Sequence, residues 1–401
     1  MTEGDIQLAY ETSSNRIRET ETAFHRYLYS EIDWSVRVLA LNGQRGVGKT
    51  TMFLQFLKEH PVDAETSLYV SLDTAWFDAR EVYELVKYHV QHGGTRLFLD
   101  EVHYLKDWQK LIKNLYDNFR GLQIAYTGSS ILRMAEGQGD LSRRQVEYTL
   151  AGMSFREYLA LEDVCRIDPV SLPELLQNHV ALAENLTERM KVLPHFEAYL
   201  EKGYYPFSRE DPVHFADRLR QVVNQVLDVD LPKVEDVTPD TVRKIRKMLT
   251  ILAASTPQTP KIATLCHDLG MDRKQGMKVL YALRRAGLLG LLAEDSDALK
   301  YLGAPNKIYC DNPNLMSVLT PRPDKGTLRE AFFNNQVSVR NELSYPKRGD
   351  FLVDGSYLFE VGGAYKTFSQ IKDVPGSFLA VDGTEVGRGN RIPLWMFGLC
   401  Y

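Results

Sequence analysis

The chain has 401 residues, of which 25% are charged and 44% hydrophobic, an ordinary composition for a globular protein and a length that suggests two to three domains. A formal net charge of -5 gives no whole-protein electrostatic case for nucleic acid, and no run approaches the roughly eighteen consecutive apolar residues that a membrane span needs. The four cysteines, Cys165, Cys266, Cys310 and Cys400, lie too far apart for a zinc site or a disulfide framework, and the acidic first five residues lack a basic flank and apolar run, so a cytoplasmic location without membrane contact is expected.

Residues 17–34 mix charge with Tyr27, Tyr29 and Trp34 and read as a helix and turn feeding a first strand, their aromatics expected in packing more than on a base. Residues 39–51 then read L-A-L-N-G-Q-R-G-V-G-K-T-T. Gly43, Gly48, Lys49 and Thr50 satisfy G-x-x-x-x-G-K-[ST] after an apolar run and before a helix-forming one, which is strand, loop and helix. Backbone N–H groups of Gly43, Gln44, Arg45, Gly46, Val47, Gly48, Lys49, Thr50 and Thr51 are expected to cradle the phosphates of ATP. Lys49 would reach the β/γ-phosphates and the Thr50 hydroxyl would ligate Mg2+.

A short strand at residues 67–72 and a helix at 79–92 follow, and residues 96–101, R-L-F-L-D-E, form an apolar strand ending in two carboxylates. In a parallel sheet such a strand end faces the ligand crevice. Asp100 is placed to hold Mg2+ and Glu101 to polarise an attacking water, which favours hydrolysis over transfer to a small acceptor. Residues 123–127 form a further strand leading to Gly128, Ser129 and Ser130, where Thr127 or Ser129 would orient the water or sense the γ-phosphate. Arg133, Arg143 and Arg144 precede a strand at 146–150 and a helix at 154–161. Arg143 or Arg144 is a candidate arginine finger, in cis or from a neighbouring subunit.

The runs G-Q-R-G-V-G-K-T-T, L-F-L-D-E-V-H, T-G-S-S and L-A-G-M-S-F-R-E-Y-L resemble the AAA-type P-loop ATPases of bacteria and archaea that carry a C-terminal restriction-endonuclease-like domain. The resemblance covers most of the chain and is strongest over residues 21–161. It implies an α/β fold: a P-loop parallel sheet with an additional strand, a helical and winged-helix module, and a small α/β endonuclease-like domain. The expected division is residues 1–165 for the ATPase domain, 166–238 for a helical lid or connector, 239–320 for the winged helix and 321–401 for the endonuclease-like domain.

Residues 169–238 are helical in pattern, with an acidic, proline-bearing tract at 226–239 read as a linker. Residues 240–290 read as three helices, followed by a hairpin at 288–308 around residues 295–297. Ten basic residues stand against three acids between 240 and 290, a local charge of about +7. Arg273, Lys274 and Lys278 on the third helix are candidate contacts to DNA phosphates.

In the C-terminal segment the resemblance assigns Glu330, Asp350 and Glu360 to the three acids that gather around Mg2+ in active nucleases. The lysine expected two residues past the last acid is replaced by Gly362, and Lys366 lies beyond a Gly-Gly pair. The nuclease site is therefore expected to be inactive, since loss of that cation removes transition-state stabilisation. The leading reading is an ATP-hydrolysing, Mg2+-dependent switch controlling the attached modules, with DNA, a protein partner or a second copy of the chain as candidate partners. The alternatives are a metal-dependent nuclease regulated by ATP and a nucleotide-gated DNA-binding or interaction scaffold.

Overall fold

The computed structural model describes residues 1–61, 66–73, 77–129, 141, 143–255, 261–294 and 303–401. They divide into two compact units, Met1–Ala151 and Gly152–Tyr401. Ser130, Arg133 and the hairpin tip at 295–297 lie outside the described residues, as does the side chain of Ser129.

In the first unit five strands, β1 (Val38–Gly43), β2 (Ser67–Ser71), β3 (Arg96–Asp100), β4 (Gln123–Ser129) and β5 (Val146–Leu150), form one sheet in the order β2-β3-β4-β1-β5. Every pairing in it is parallel. β4 is the additional strand, inserted between the strand that enters the phosphate loop and the strand that ends in Asp100. β1 is buried along its whole length, as an apolar strand covered by helices on both faces should be. Helix Ala79–Gln91 is started by Asp78, which accepts from Arg80 N and Glu81 N while Glu81 closes a capping box. Val82, Leu85 and Val86 of that helix and Leu111, Ile112 and Leu115 of helix Trp108–Asn118 fill one core with Leu68, Val70, Leu97 and Leu99. Trp34 stacks on Phe56 with ring centroids 4.1 Å apart, so this aromatic packs.

The second unit begins earlier than residue 166. Helix Phe155–Leu161, expected at the end of the ATPase domain, belongs to it. Phe155 N donates to Gln336 Oε1 at 3.2 Å, Arg156 Nε donates to the Tyr401 carbonyl at 3.0 Å, and the Phe155 ring meets Phe196 edge-on at 5.4 Å. Its apolar face is thus used by the C-terminal core. The expected linker at 226–239 is likewise mostly helical: a π-type turn at Val226–Asp230 runs into helix Leu231–Val234. Val226, Leu227 and Leu231 are buried, which gives this acidic tract an apolar face that a linker would lack.

Helices Pro239–Ala254, Ile262–Leu269 and Arg273–Arg285 follow, then an antiparallel ribbon of β6 (Leu289–Leu292) and β7 (Lys307–Cys310). Gly270 closes the second of these helices at φ +69°, a left-handed turn that glycine makes without strain. Helix Lys325–Val337 precedes a mixed sheet of β8 (Leu343–Ser344), β9 (Phe351–Val353), β10 (Tyr357–Gly362), β11 (Ser377–Val381) and β12 (Arg391–Pro393), in the order β12-β11-β10-β9-β8. Among the described residues no helix is long and apolar enough to cross a membrane.

Candidate functional site

The phosphate loop leaves the C-terminal end of β1 and enters helix Lys49–Glu59. Gly48, the residue before the helix, sits at φ +97°, a conformation that a side chain would strain. No side chain caps this helix, and the dipole at such a helix N-terminus favours an anion. At Gly43 the constraint is space, because a Cβ there would lie 2.6 Å from the Leu150 carbonyl oxygen. Lys49 is 4% exposed. Its Nζ donates to the carbonyls of Gly43 at 3.0 Å and Gln44 at 2.9 Å, which holds the ammonium within the loop.

The two predicted motifs meet. Thr50 Oγ1 donates to Asp100 Oδ2 at 2.6 Å. Asp100 is 2% exposed, and two further hydroxyls hold its carboxylate: Tyr69 donates to Oδ2 at 2.8 Å and Thr127 donates to Oδ1. Burial raises the Asp100 carboxyl above its ordinary range, the Thr127 and Thr50 hydrogen bonds pull it back, and the neighbouring Glu101 charge raises it further. Tyr69 is raised by its own burial and then by the Asp100 charge, so its phenol stays a donor. The donor set at Thr50 and Asp100 is oxygen only, with the two atoms adjacent, which fits a hard cation such as Mg2+.

Glu101 adopts the left-handed conformation, φ +56° and ψ +46°, a strained state for a non-glycine residue of the kind that collects at functional sites. Its N–H donates to Thr127 Oγ1 at 2.8 Å. Its Oε2 is buried without a hydrogen-bond partner and lies 3.3 Å from His103 Nε2. Thr127 therefore orders both acids at once, accepting from the Glu101 backbone and donating to Asp100. The sequence offered Thr127 as a sensor of the γ-phosphate; its observed contacts are with the Asp100 carboxylate and the Glu101 backbone N–H. Arg45 Nη2 reaches His103 Nε2 at 3.2 Å and the Tyr104 hydroxyl at 3.3 Å, so the loop's own arginine leans on the turn after β3.

Three participants escaped sequence reasoning. Tyr69 lies on β2 and is aligned by the register that pairs Ser71 with Asp100. His103 follows Glu101 by two residues, within the turn Val102–Tyr104. Arg26, 5% exposed, donates to the Val47 carbonyl within the loop and to the Ala151 carbonyl at 2.8 Å. Of the two candidate fingers, Arg143 is exposed. Arg144 lies 3.6 Å from Asp117 with its guanidinium 5.7 Å from the Tyr116 ring. Tyr116 and Asp117 end the helix that returns the chain to the start of β4, so Arg144 stands at the strand ends opposite the phosphate loop. It does not reach that loop from its own chain.

In the second unit Arg273, Lys274 and Lys278 are exposed on helix Arg273–Arg285. The surrounding basic tract is partly neutralised: Asp240 pairs with Arg243 at 2.6 Å and Lys244 at 3.0 Å, and Asp228 pairs with Arg246 at 2.6 Å. The three acids of the C-terminal segment are not gathered for a metal. Among the described residues no group of three or more His, Cys, Asp and Glu side chains is placed to hold one. Lys366 does fold back: its stem passes over Gly362, where a Cβ would lie 2.7 Å from its Cγ, and its Nζ pairs with Glu360 at 2.6 Å.

Residues 35–159 match a family described as AAA domain, and residues 193–325 match a domain of unknown function, DUF8612. An uncharacterized protein of Methanocaldococcus jannaschii is 26% identical over 368 residues, which is 83% of this chain and 77% of that protein. A second uncharacterized protein of the same archaeon is 22% identical over 84% of this chain and 74% of its own length. The solved structure of C. elegans PCH-2 aligns with 44% of this chain and 47% of that one, at 12% identity and a TM-score of 0.27. The parallel sheet order and the phosphate loop of Met1–Ala151 fit the P-loop NTPase fold that the AAA-domain match implies, and that match runs on into helix Phe155–Leu161 of the second unit.

Proposed function

We propose that the chain is an Mg2+-dependent ATPase whose nucleotide state controls the segment Gly152–Tyr401. The observation that carries this reading is the 2.6 Å hydrogen bond from Thr50 to Asp100, which joins the phosphate loop to the acid-bearing strand. The loop's N–H groups and Lys49 would hold the phosphates, and Thr50 and Asp100 would hold the metal, directly or through its water. Bound Mg2+ supplies positive charge against the phosphate oxygens. Glu101, with an acceptor oxygen that lacks a hydrogen bond, would take the proton of the attacking water, and Thr127, which accepts from the Glu101 backbone N–H, would hold that residue next to Asp100. An arginine at the γ-phosphate would come in trans, with Arg143 or Arg144 supplied by a second copy, so specific activity should rise with protein concentration.

The test is phosphate release by the full chain. Glu101→Gln should retain ATP binding and lose turnover by about a hundredfold. Equal phosphate release by the wild type and Lys49→Ala would remove the ATPase reading. A second reading, DNA binding by helix Arg273–Arg285, is favoured by the exposure of Arg273, Lys274 and Lys278. It predicts salt-sensitive binding to duplex DNA that weakens when Arg273 and Lys274 become Ala, and salt-independent retention would exclude it.

A further inference from the structure

The lysine at the centre of the C-terminal acid cluster comes from a strand outside that segment. β7 presents Lys307 and Tyr309 two residues apart, and so on one face. Lys307 Nζ lies 2.9 Å from Glu330 Oε2 and 3.2 Å from Asp350 Oδ1, and the Tyr309 hydroxyl donates to the same Glu330 oxygen at 2.8 Å. Lys307 is 8% exposed and Glu330 9%. The other Asp350 oxygen accepts from Val361 N at 2.9 Å, and Glu360 is taken up by Lys366. Each carboxylate thus has a cation or donor of the chain's own.

This arrangement does not fit a metal. A divalent ion held between Glu330 and Asp350 would have to occupy the position of the Lys307 ammonium, and like charges cannot share it. We propose that Lys307 stands in the place of a divalent cation, so that Glu330, Asp350 and Lys307 form a closed ionic clasp binding β7 to the C-terminal sheet. Burial favours the neutral lysine, but the two carboxylates outweigh it and hold the ammonium charged. Burial and then the Asp350 charge raise the Glu330 carboxyl, and Lys307 and Tyr309 oppose that rise. A neutral stem of the same length would leave the buried Glu330 and the half-buried Asp350 without their cation, and such a carboxylate pair attracts a hard cation.

The test is Mn2+ titration of the full, nucleotide-free chain, followed by electron paramagnetic resonance of the free ion. Wild type and Asp350→Asn should bind the same amount of Mn2+. Lys307→Met should gain one ion per chain, and Lys307→Met combined with Asp350→Asn should lose it. An extra, Asp350-dependent ion in the wild type would overturn the proposal, as would a folded Lys307→Met chain that gains none. If Lys307→Met does not fold, the wild-type and Asp350→Asn titrations decide alone.

Discussion

Asp100 and Asp350 are both sheltered carboxylates in units that also bury a lysine, but the chain satisfies them in opposite ways. Asp100 is held by three neutral hydroxyls, those of Thr50, Tyr69 and Thr127, while Lys49 is turned onto backbone carbonyls. Asp350 and Glu330 are held by the ammonium of Lys307 itself. Hydroxyls meet the hydrogen-bonding need of a carboxylate without cancelling its charge, so the first site keeps an attraction for an incoming cation. An ammonium cancels the charge and needs nothing further. On the proposed reading, the same residue types make a binding site in one unit and a fastening in the other.

The comparison breaks most sharply at the two lysines. Lys49→Ala should lower phosphate release by about a hundredfold to a thousandfold, the scale for losing one electrostatic donor, with unfolding little changed. Lys307→Ala should do the reverse, costing up to about 3 kcal/mol of stability because it leaves the buried Glu330 and the half-buried Asp350 without their cation, read as an earlier urea transition at unchanged ATP turnover per folded molecule. Little loss of stability in Lys307→Ala would mean that the clasp is not structural.

Smaller effects sharpen the hydroxyl side. Thr127→Val keeps the shape but leaves the Glu101 N–H and Asp100 Oδ1 short of a partner, at about 1–3 kcal/mol, and turnover should fall more than ATP affinity. Tyr69→Phe removes a single donor to Asp100 and should cost about 1 kcal/mol, seen in the same urea titration. Least disruptive is thiol labelling of the native chain. Cys266, Cys310 and Cys400 are buried, with burial pushing the last two thiols up to about 12, and Cys165 is half-buried. One thiol per chain should react quickly, and Cys165→Ser should abolish that signal.

What could be read from the sequence was what is contiguous. The loop glycines and Lys49-Thr50 announce themselves because one turn of backbone does the binding, and Asp100 and Glu101 because they end an apolar run. Tyr69 could not be found, since its role depends on β2 lying beside β3 in one register. Lys307 lies 23 residues from Glu330 and 43 from Asp350, separations that no local pattern encodes. Helix Phe155–Leu161 was visible as a helix, but its periodicity does not say which core its apolar face enters. Gly362 was read as a loss, while in three dimensions it is the space through which Lys366 reaches Glu360.

Arg26 carries a mechanical consequence. A guanidinium is a rigid plane, and this one is bonded at one side to Val47 in the phosphate loop and at the other to Ala151, the last residue of the first unit. The loop that grips a nucleotide and the point where the chain departs are thereby fixed to a common strut. A displacement of Val47 would therefore either stretch those bonds or shift Ala151 with it.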